Sequence, residues 1–203
     1  MKTTLLASII SAADGRVKKE RDVIMFTWLA QAEGPVLLWI QENLRGALDP
    51  IVRLYTHLGD TGMLWIVLSL LMLCYRPTRR AGVAALLAMV LGLLCTNVVL
   101  KELVARPRPW LDVAELIPLI QEGDPNSFPS GHTTAAFASA SAWWWVLPKR
   151  WQRMTGVVLA VGMGFSRMYV GVHYPTDVLA GAAVGVACGW AAWKLTEKAH
   201  KRK

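Results

Sequence analysis

An all-α bundle of five or six membrane-spanning helices is the fold this sequence predicts. Three observations predict it. The 203-residue chain is 54% hydrophobic, and its apolar residues gather into long runs instead of being dispersed. Short clusters of Lys and Arg separate those runs, the arrangement that orients a polytopic membrane protein. Tryptophans mark the run ends, with Trp144, Trp145 and Trp151 near one basic turn and Trp190 and Trp193 near the last. Such placement is that of an interfacial aromatic belt.

The first third of the chain is the least regular. Residues 5–10 are apolar, but the run is short and charged residues follow it, which is not the plan of a cleaved leader. A basic patch follows at Arg16, Lys18, Lys19 and Arg21. Residues 23–40 are mostly apolar yet carry Glu33, Gly34 and Pro35. They suit a kinked or poorly formed first span, or equally a segment lying in the interface. Residues 41–58 set Glu42, Arg45, Asp49 and Arg53 among Ile, Val and Leu, a pattern that predicts an amphipathic segment on the membrane surface. Residues 1–60 are therefore read as a membrane-associated or first spanning segment, and residues 61–203 as the membrane core.

Five apolar runs build that core, at 61–75, 81–100, 133–147, 154–170 and 178–193. If they are successive spans, the basic turns at 76–80 and 149–153 and the basic tail from Lys194 fall on one side. The positive-inside rule makes that side cytoplasmic in a cell membrane. The patch at 16–21 joins it if residues 23–40 also cross, which gives six spans. The loop 101–132 and the turn 171–177 then share the outer side. Gly181, Gly185 and Gly189 recur every four residues in the last run. Such a small-residue face predicts close helix packing within the bundle in preference to a dimer interface, and the oligomeric state stays open.

The net charge of +8 would suggest nucleic acid in a soluble chain. Here the charges lie between apolar runs, so topology and anionic headgroups account for them and no nucleic-acid partner is expected. Cys74, Cys95 and Cys188 each sit in an apolar stretch without metal-ligand spacing. They read as core or lipid-facing residues and not as a disulfide framework.

Three clusters are polar where their surroundings are apolar. The first is Lys101 with Arg108-Pro109, the second Pro129-Ser130-Gly131-His132, and the third Ser166-Arg167 with His173 and Asp177. The predicted topology brings all three to the outer side. Together they supply three cations, two histidines and a carboxylate, the inventory for phosphoryl transfer. A phosphate ester resists attack because its oxygens are negative. A catalyst must neutralise them, provide a nucleophile and protonate the leaving group. Lys101, Arg108 and Arg167 can neutralise. Ser130 and Gly131 can offer backbone N–H groups at a helix N-terminus. His173 and Asp177 are four apart, so on a helix they share a face. That spacing also suits a metal pair, but only His132 is an obvious third ligand and a metal needs more. Arg106 falls outside the pattern and reads as loop charge. Glu102, Glu115, Glu122 and Asp124 are candidates for shaping substrate entry, without assigned roles. His57 and His200 have no expected catalytic part.

Lys-x6-Arg-Pro, Pro-Ser-Gly-His and Ser-Arg-x5-His-x3-Asp resemble, in order and internal spacing, the three-part signature of the type 2 phosphatidic acid phosphatase superfamily. Every defining position is matched between residues 101 and 177, whereas residues 1–60 gain little support. The resemblance implies a hydrolase acting on a membrane lipid phosphate or pyrophosphate, with the bilayer as its setting. It implies that His173 attacks phosphorus and forms a phosphohistidine, and that Asp177 orients His173. It implies that His132 serves as general acid and then as base, and that Lys101, Arg108, Ser130, Gly131 and Arg167 hold the phosphate. No metal or other cofactor is expected. Undecaprenyl diphosphate is the favoured substrate, by analogy with short members of the family. Phosphatidylglycerophosphate or phosphatidic acid is the alternative. A vanadium haloperoxidase and a non-catalytic lipid-headgroup binder are the remaining readings.

Overall fold

The computed structural model describes residues 24–201. The apolar run at 5–10, the basic patch at 16–21 and the last two residues of the tail lie outside the described residues. Helix α1 covers residues 24–44. It is followed by α2 (Asp49–Leu58), a 3-10 turn (Asp60–Gly62) and α3 (Met63–Cys74). Helix α4 (Arg79–Leu93) passes through a π-helical stretch (Leu94–Leu100) into α5 (Lys101–Val104). A short α6 (Pro109–Asp112) interrupts the long loop that leads to α7 (Gly131–Val146), α8 (Arg150–Tyr169) and α9 (Pro175–Lys201). Among the described residues there is no β-strand, only an isolated bridge between Pro107 and Asn126.

The interior of the bundle is made of small residues. Ala84, Ala85, Ala88, Ala136, Ala138 and Ala160 are among those fully buried. Large aliphatic side chains such as Val90, Leu93, Val158, Val161, Leu179 and Val186 are exposed. That inversion is what a lipid environment permits, because apolar side chains gain nothing by turning away from hydrocarbon and close backbone approach supplies the packing. Two helical stretches, Arg79–Val104 and Pro175–Lys201, are long and apolar enough to cross a membrane by themselves. The pair Asp49–Leu58 and Asp60–Cys74, bent by 52°, meets the same test when taken together.

Glycines make the close approach possible where α9 crosses α7. A methyl group on Gly185 would lie 2.6 Å from Thr134 O and 2.8 Å from Ala138 N, and one on Gly189 would lie 2.6 Å from Ala138 O. The glycine face is thus used inside the bundle. Backbone atoms cannot swing aside, so Gly185→Ala is expected to lower the melting temperature in detergent by about 2–10 °C. A thermal denaturation curve checks this.

The helices alternate in direction. Helix α7 leaves one end of the bundle at Gly131 and reaches the other at Val146. Helix α8 returns to Tyr169, and α9 departs again from Pro175. The far end carries Arg79, Lys149, Arg150 and the tail. It also carries the tryptophans, with Trp145 and Trp193 stacked at 4.7 Å. The near end gathers the polar clusters.

The first third differs in part from expectation. Helix α1 is helical through Gly34 and Pro35, where the sequence left open a kinked or poorly formed first span or a segment in the interface. Gly34 is packed against Val113, which would touch an added methyl at 3.0 Å. Helix α2 is amphipathic as expected, with Ile51 and Leu54 exposed. Arg45, just before the helix, and Arg53, exposed on it, nevertheless donate to protein carbonyls. Arg45 Nε donates to Tyr169 O at 3.1 Å and Arg53 Nε to Leu119 O at 3.0 Å. The carbonyls of an irregular loop need donors, and these two side chains reach them.

Candidate active site

The site is assembled at the near end from four pieces of chain. The end of the long helical stretch Arg79–Val104 presents Lys101. Ala105 then adopts a left-handed conformation (φ 48°), which turns the chain out of the helix. The next residues run extended, and Arg108 has ψ 151°. This strip is held against the returning loop, with Ser127 N donating to Arg106 O at 2.8 Å and Ser127 Oγ to Pro107 O at 2.9 Å.

Ser130 caps α7. Its side chain accepts from Thr133 Oγ1 at 2.9 Å, and its own N–H donates to Asp177 O at 3.0 Å. That N–H is therefore engaged within the protein, which leaves the Gly131 end of the helix to meet an anion. Arg167 stands in the last turn of α8. The turn after it, with Gly171 at φ 79°, brings His173 under the cations, and the first turn of α9 places Asp177 behind His173.

The contacts around His173 fix its protonation pattern. Arg108 Nη1 lies 3.0 Å from His173 Nε2. Arginine has no acceptor, so Nε2 is the acceptor and the neutral ring carries its proton on Nδ1. Nδ1 faces Asp177 Oδ2 at 3.6 Å and forms no hydrogen bond. Asp177 Oδ2 is taken instead by Tyr174 N at 2.9 Å. Burial, followed by Arg108 and Arg167, holds the His173 imidazole well below its ordinary pKa. The ring is neutral at pH 7, with a lone pair at Nε2. That lone pair is what a nucleophile needs.

A cavity of about 660 Å³ opens over this arrangement. Its polar side is lined by Lys101, Arg108, Gly131, His132, Arg167 and His173. The side away from them is apolar, formed by Ile66, Leu86, Met89, Val90 and Leu93 on α3 and α4. Of the eight residues expected at the site, six line this cavity. Ser130 and Asp177 stand behind its wall, both fully buried.

Residues 81–201 match the PAP2 superfamily. The chain belongs to that family. Among related proteins, an undecaprenyl-diphosphatase of Sulfolobus acidocaldarius is 33% identical over 60% of this chain and 58% of its own length. A decaprenylphosphoryl-5-phosphoribose phosphatase of Mycobacterium tuberculosis is 32% identical over 78% of this chain and 88% of its own. The crystal structure of a transmembrane PAP2-type phosphatidylglycerolphosphate phosphatase from Bacillus subtilis superposes with a TM-score of 0.68 at 29% identity, covering 88% of this chain and 95% of that one. This PAP2 chain is thus a membrane protein with lipid-phosphatase relatives.

Several residues of this PAP2 site carried no assigned role in the sequence reading. Arg106 is not loop charge. It is buried and donates from Nη1 to Asp177 Oδ1 at 2.8 Å and from Nη2 to Glu33 Oε2 at 2.9 Å, and its guanidinium lies 3.9 Å from the centre of the Tyr174 ring. Glu122 pairs with Arg167 and lies 3.8 Å from Arg108 Nη2. Asp124 pairs with Lys101. Burial raises the Asp124 carboxyl, but the hydrogen bonds from Lys101 and Asn126 outweigh it and the net shift is downward. Each expected phosphate-binding cation therefore rests on a carboxylate. The one available signal was the density of acids, Glu122 and Asp124, inside a loop flanked by cations.

Proposed function

We propose that this PAP2 protein is a metal-independent phosphatase of polyprenyl phosphate or diphosphate lipids, working through a phosphohistidine on His173. One observation carries the reading. A single cavity has three cations and two histidines on one side and an apolar wall on the other, matching a substrate with an anionic head and a hydrocarbon tail.

In the reaction, Lys101, Arg108, Arg167 and the Gly131 N–H hold the phosphoryl oxygens and take up the charge that develops on them. His173 Nε2 attacks phosphorus. As the ring becomes cationic, Nδ1–H strengthens its interaction with Asp177. His132 gives a proton to the leaving oxygen as its bond to phosphorus breaks. Water then attacks the phosphohistidine, returns a proton to His132 and releases inorganic phosphate.

Undecaprenyl diphosphate is the favoured substrate within this class, supported by polyprenyl carriers in the names of two relatives. Phosphatidylglycerophosphate is the alternative, supported by the Bacillus subtilis structure. Helices α3, α7 and α8 are proposed as spans beside the two long ones, because each runs antiparallel to its neighbour between the same two ends. With α1 the count is six. The site then faces outside the cell membrane and the C-terminus lies in the cytoplasm, as the basic far end supports.

The test is phosphate release by detergent-purified protein from undecaprenyl diphosphate, phosphatidylglycerophosphate and phosphatidic acid in parallel, with EDTA throughout. The expected result is fastest release from the diphosphate, no loss with EDTA, and inhibition by vanadate as a mimic of the five-coordinate transition state. Preference for a glycerophospholipid phosphate would transfer the assignment to it. Strong EDTA inhibition would contradict the metal-free mechanism. Halide oxidation with vanadate and no phosphate release would favour a haloperoxidase.

A further inference from the structure

Three residues from different places in the sequence form a chain at the mouth of the cavity. His132 Nε2 lies 2.9 Å from Asp60 Oδ1, and the second oxygen, Asp60 Oδ2, lies 2.9 Å from His57 Nδ1. Asp60 opens the 3-10 turn between α2 and α3, and His57 is in the last turn of α2. Both are about half exposed, at 51% and 55%, whereas His132 is 17% exposed. Gly59 gives the ring room, since a methyl there would meet His132 Cδ2 at 2.9 Å. The 52° bend between the two helices is where this turn sits.

We propose that Asp60, steadied by His57, is the positioning residue of the general acid His132. The inference rests on the phosphatase reading above and adds to it a residue outside the family signature.

An ionised carboxylate only accepts hydrogen bonds, so His132 Nε2 carries a proton toward Asp60. Nδ1 is then the nitrogen that exchanges protons with the substrate. When Nδ1 is also protonated the ring is a cation, and Asp60 stabilises that cation at hydrogen-bond distance. The proton given to the leaving oxygen from Nδ1 is recovered from water during hydrolysis of the phosphohistidine, so no other donor is needed. His57 engages the second oxygen of Asp60 and so limits rotation of the carboxylate. This is the orienting logic that Asp177 supplies to His173, built a second time for the acid from a different part of the chain.

The experiment exploits the leaving group. An alkyl or lipid phosphate needs its departing oxygen protonated. The p-nitrophenyl group departs as a stable phenolate and scarcely needs an acid. Asp60→Asn keeps size and removes the charge. It should lower kcat for the lipid phosphate by about 100-fold and leave the first-turnover burst of p-nitrophenolate, which precedes the hydrolysis step that His132 assists for both substrates, within about 5-fold of wild type. His57→Ala should show the same split with a smaller loss, and Asp60→Glu should restore part of the lipid-phosphate rate. Equal loss of the lipid-phosphate rate and of the p-nitrophenolate burst, or no loss on the lipid phosphate, would overturn the proposal. If the wild type hydrolysed neither substrate, the phosphatase reading itself would fall. Retained vanadate binding by Asp60→Asn separates a positioning effect from misfolding, because the anion site lies on other residues. A variant that lost vanadate binding together with both activities would count against the proposal.

Discussion

His173→Ala is expected to reduce phosphate release from a lipid phosphate by at least about 1,000-fold, equivalent to roughly 4 kcal/mol of barrier. The reasoning is geometric. His173 Nε2 lies 3.0 Å from Arg108 Nη1 and presents its lone pair on the cavity wall. An alanine leaves the cations in place but gives phosphorus nothing to bond. Substrate or vanadate binding should therefore survive better than turnover, and the loss should fall on kcat more than on KM. A rate assay paired with vanadate titration checks both halves. His173 is also buried, so a melting curve should confirm that the variant is folded.

Arg106→Ala is expected to have the largest effect on stability. Arg106 lies between two carboxylates, Asp177 at 2.8 Å and Glu33 at 2.9 Å, with side-chain exposures of 0% and 11%. Thr176 Oγ1 completes the cluster, accepting from Arg106 at 2.7 Å. A buried ion pair gives little net stability, but removing one member leaves the other charge uncompensated, at about 3–5 kcal/mol. The melting temperature should fall by on the order of 10 °C. Activity should fall as well, because Asp177 loses the group that fixes its Oδ1 and is held behind His173 only through Oδ2 and Tyr174 N. Adding Glu33→Gln to Arg106→Ala removes one of the two stranded charges, so the double variant should melt above the single. A double variant that melts at or below the single would show that the cluster is not an electrostatic unit.

The three polar clusters were legible because each is a short pattern with fixed internal spacing. Lys101 and Arg108, Ser130 to His132, and Arg167 to Asp177 could be recognised without knowing what faced them. The partners that complete the site were not legible, because they pair across separations from 23 residues, Lys101 with Asp124, to more than 70. Glu33 meets Arg106 at a separation of 73, and Asp60 meets His132 at 72. No local period connects such residues. Arg106 illustrates the difficulty. It stands two positions before Arg108 in the same strip, yet the two side chains end on different partners. Arg108 reaches His173 and Arg106 reaches the back of Asp177. Membership of a pattern separates the two in the sequence, whereas in the fold they differ in the partner each one reaches.

The first third shows the same limit in another form. Gly34 and Pro35 argue for a break when taken alone, yet α1 continues through them, with Val113 of a distant loop against Gly34. Arg45 and Arg53 were read as the polar face of a surface helix. Their targets, the carbonyls of residues 117, 119 and 169, belong to a loop and helix end far along the chain. The glycine stripe on α9 was legible, and so was its use inside the bundle, since Gly185 and Gly189 touch α7 backbone directly.

The claim on which the whole account turns is the covalent step at His173. The direct measurement is to mix purified protein with a lipid diphosphate labelled in its terminal phosphate, quench in alkali to preserve phosphohistidine, and map the labelled peptide. The account predicts label on the peptide containing His173, bound to its imidazole, and none in His173→Ala. Label on another residue, or full turnover with no labelled protein at any quench time, would contradict it.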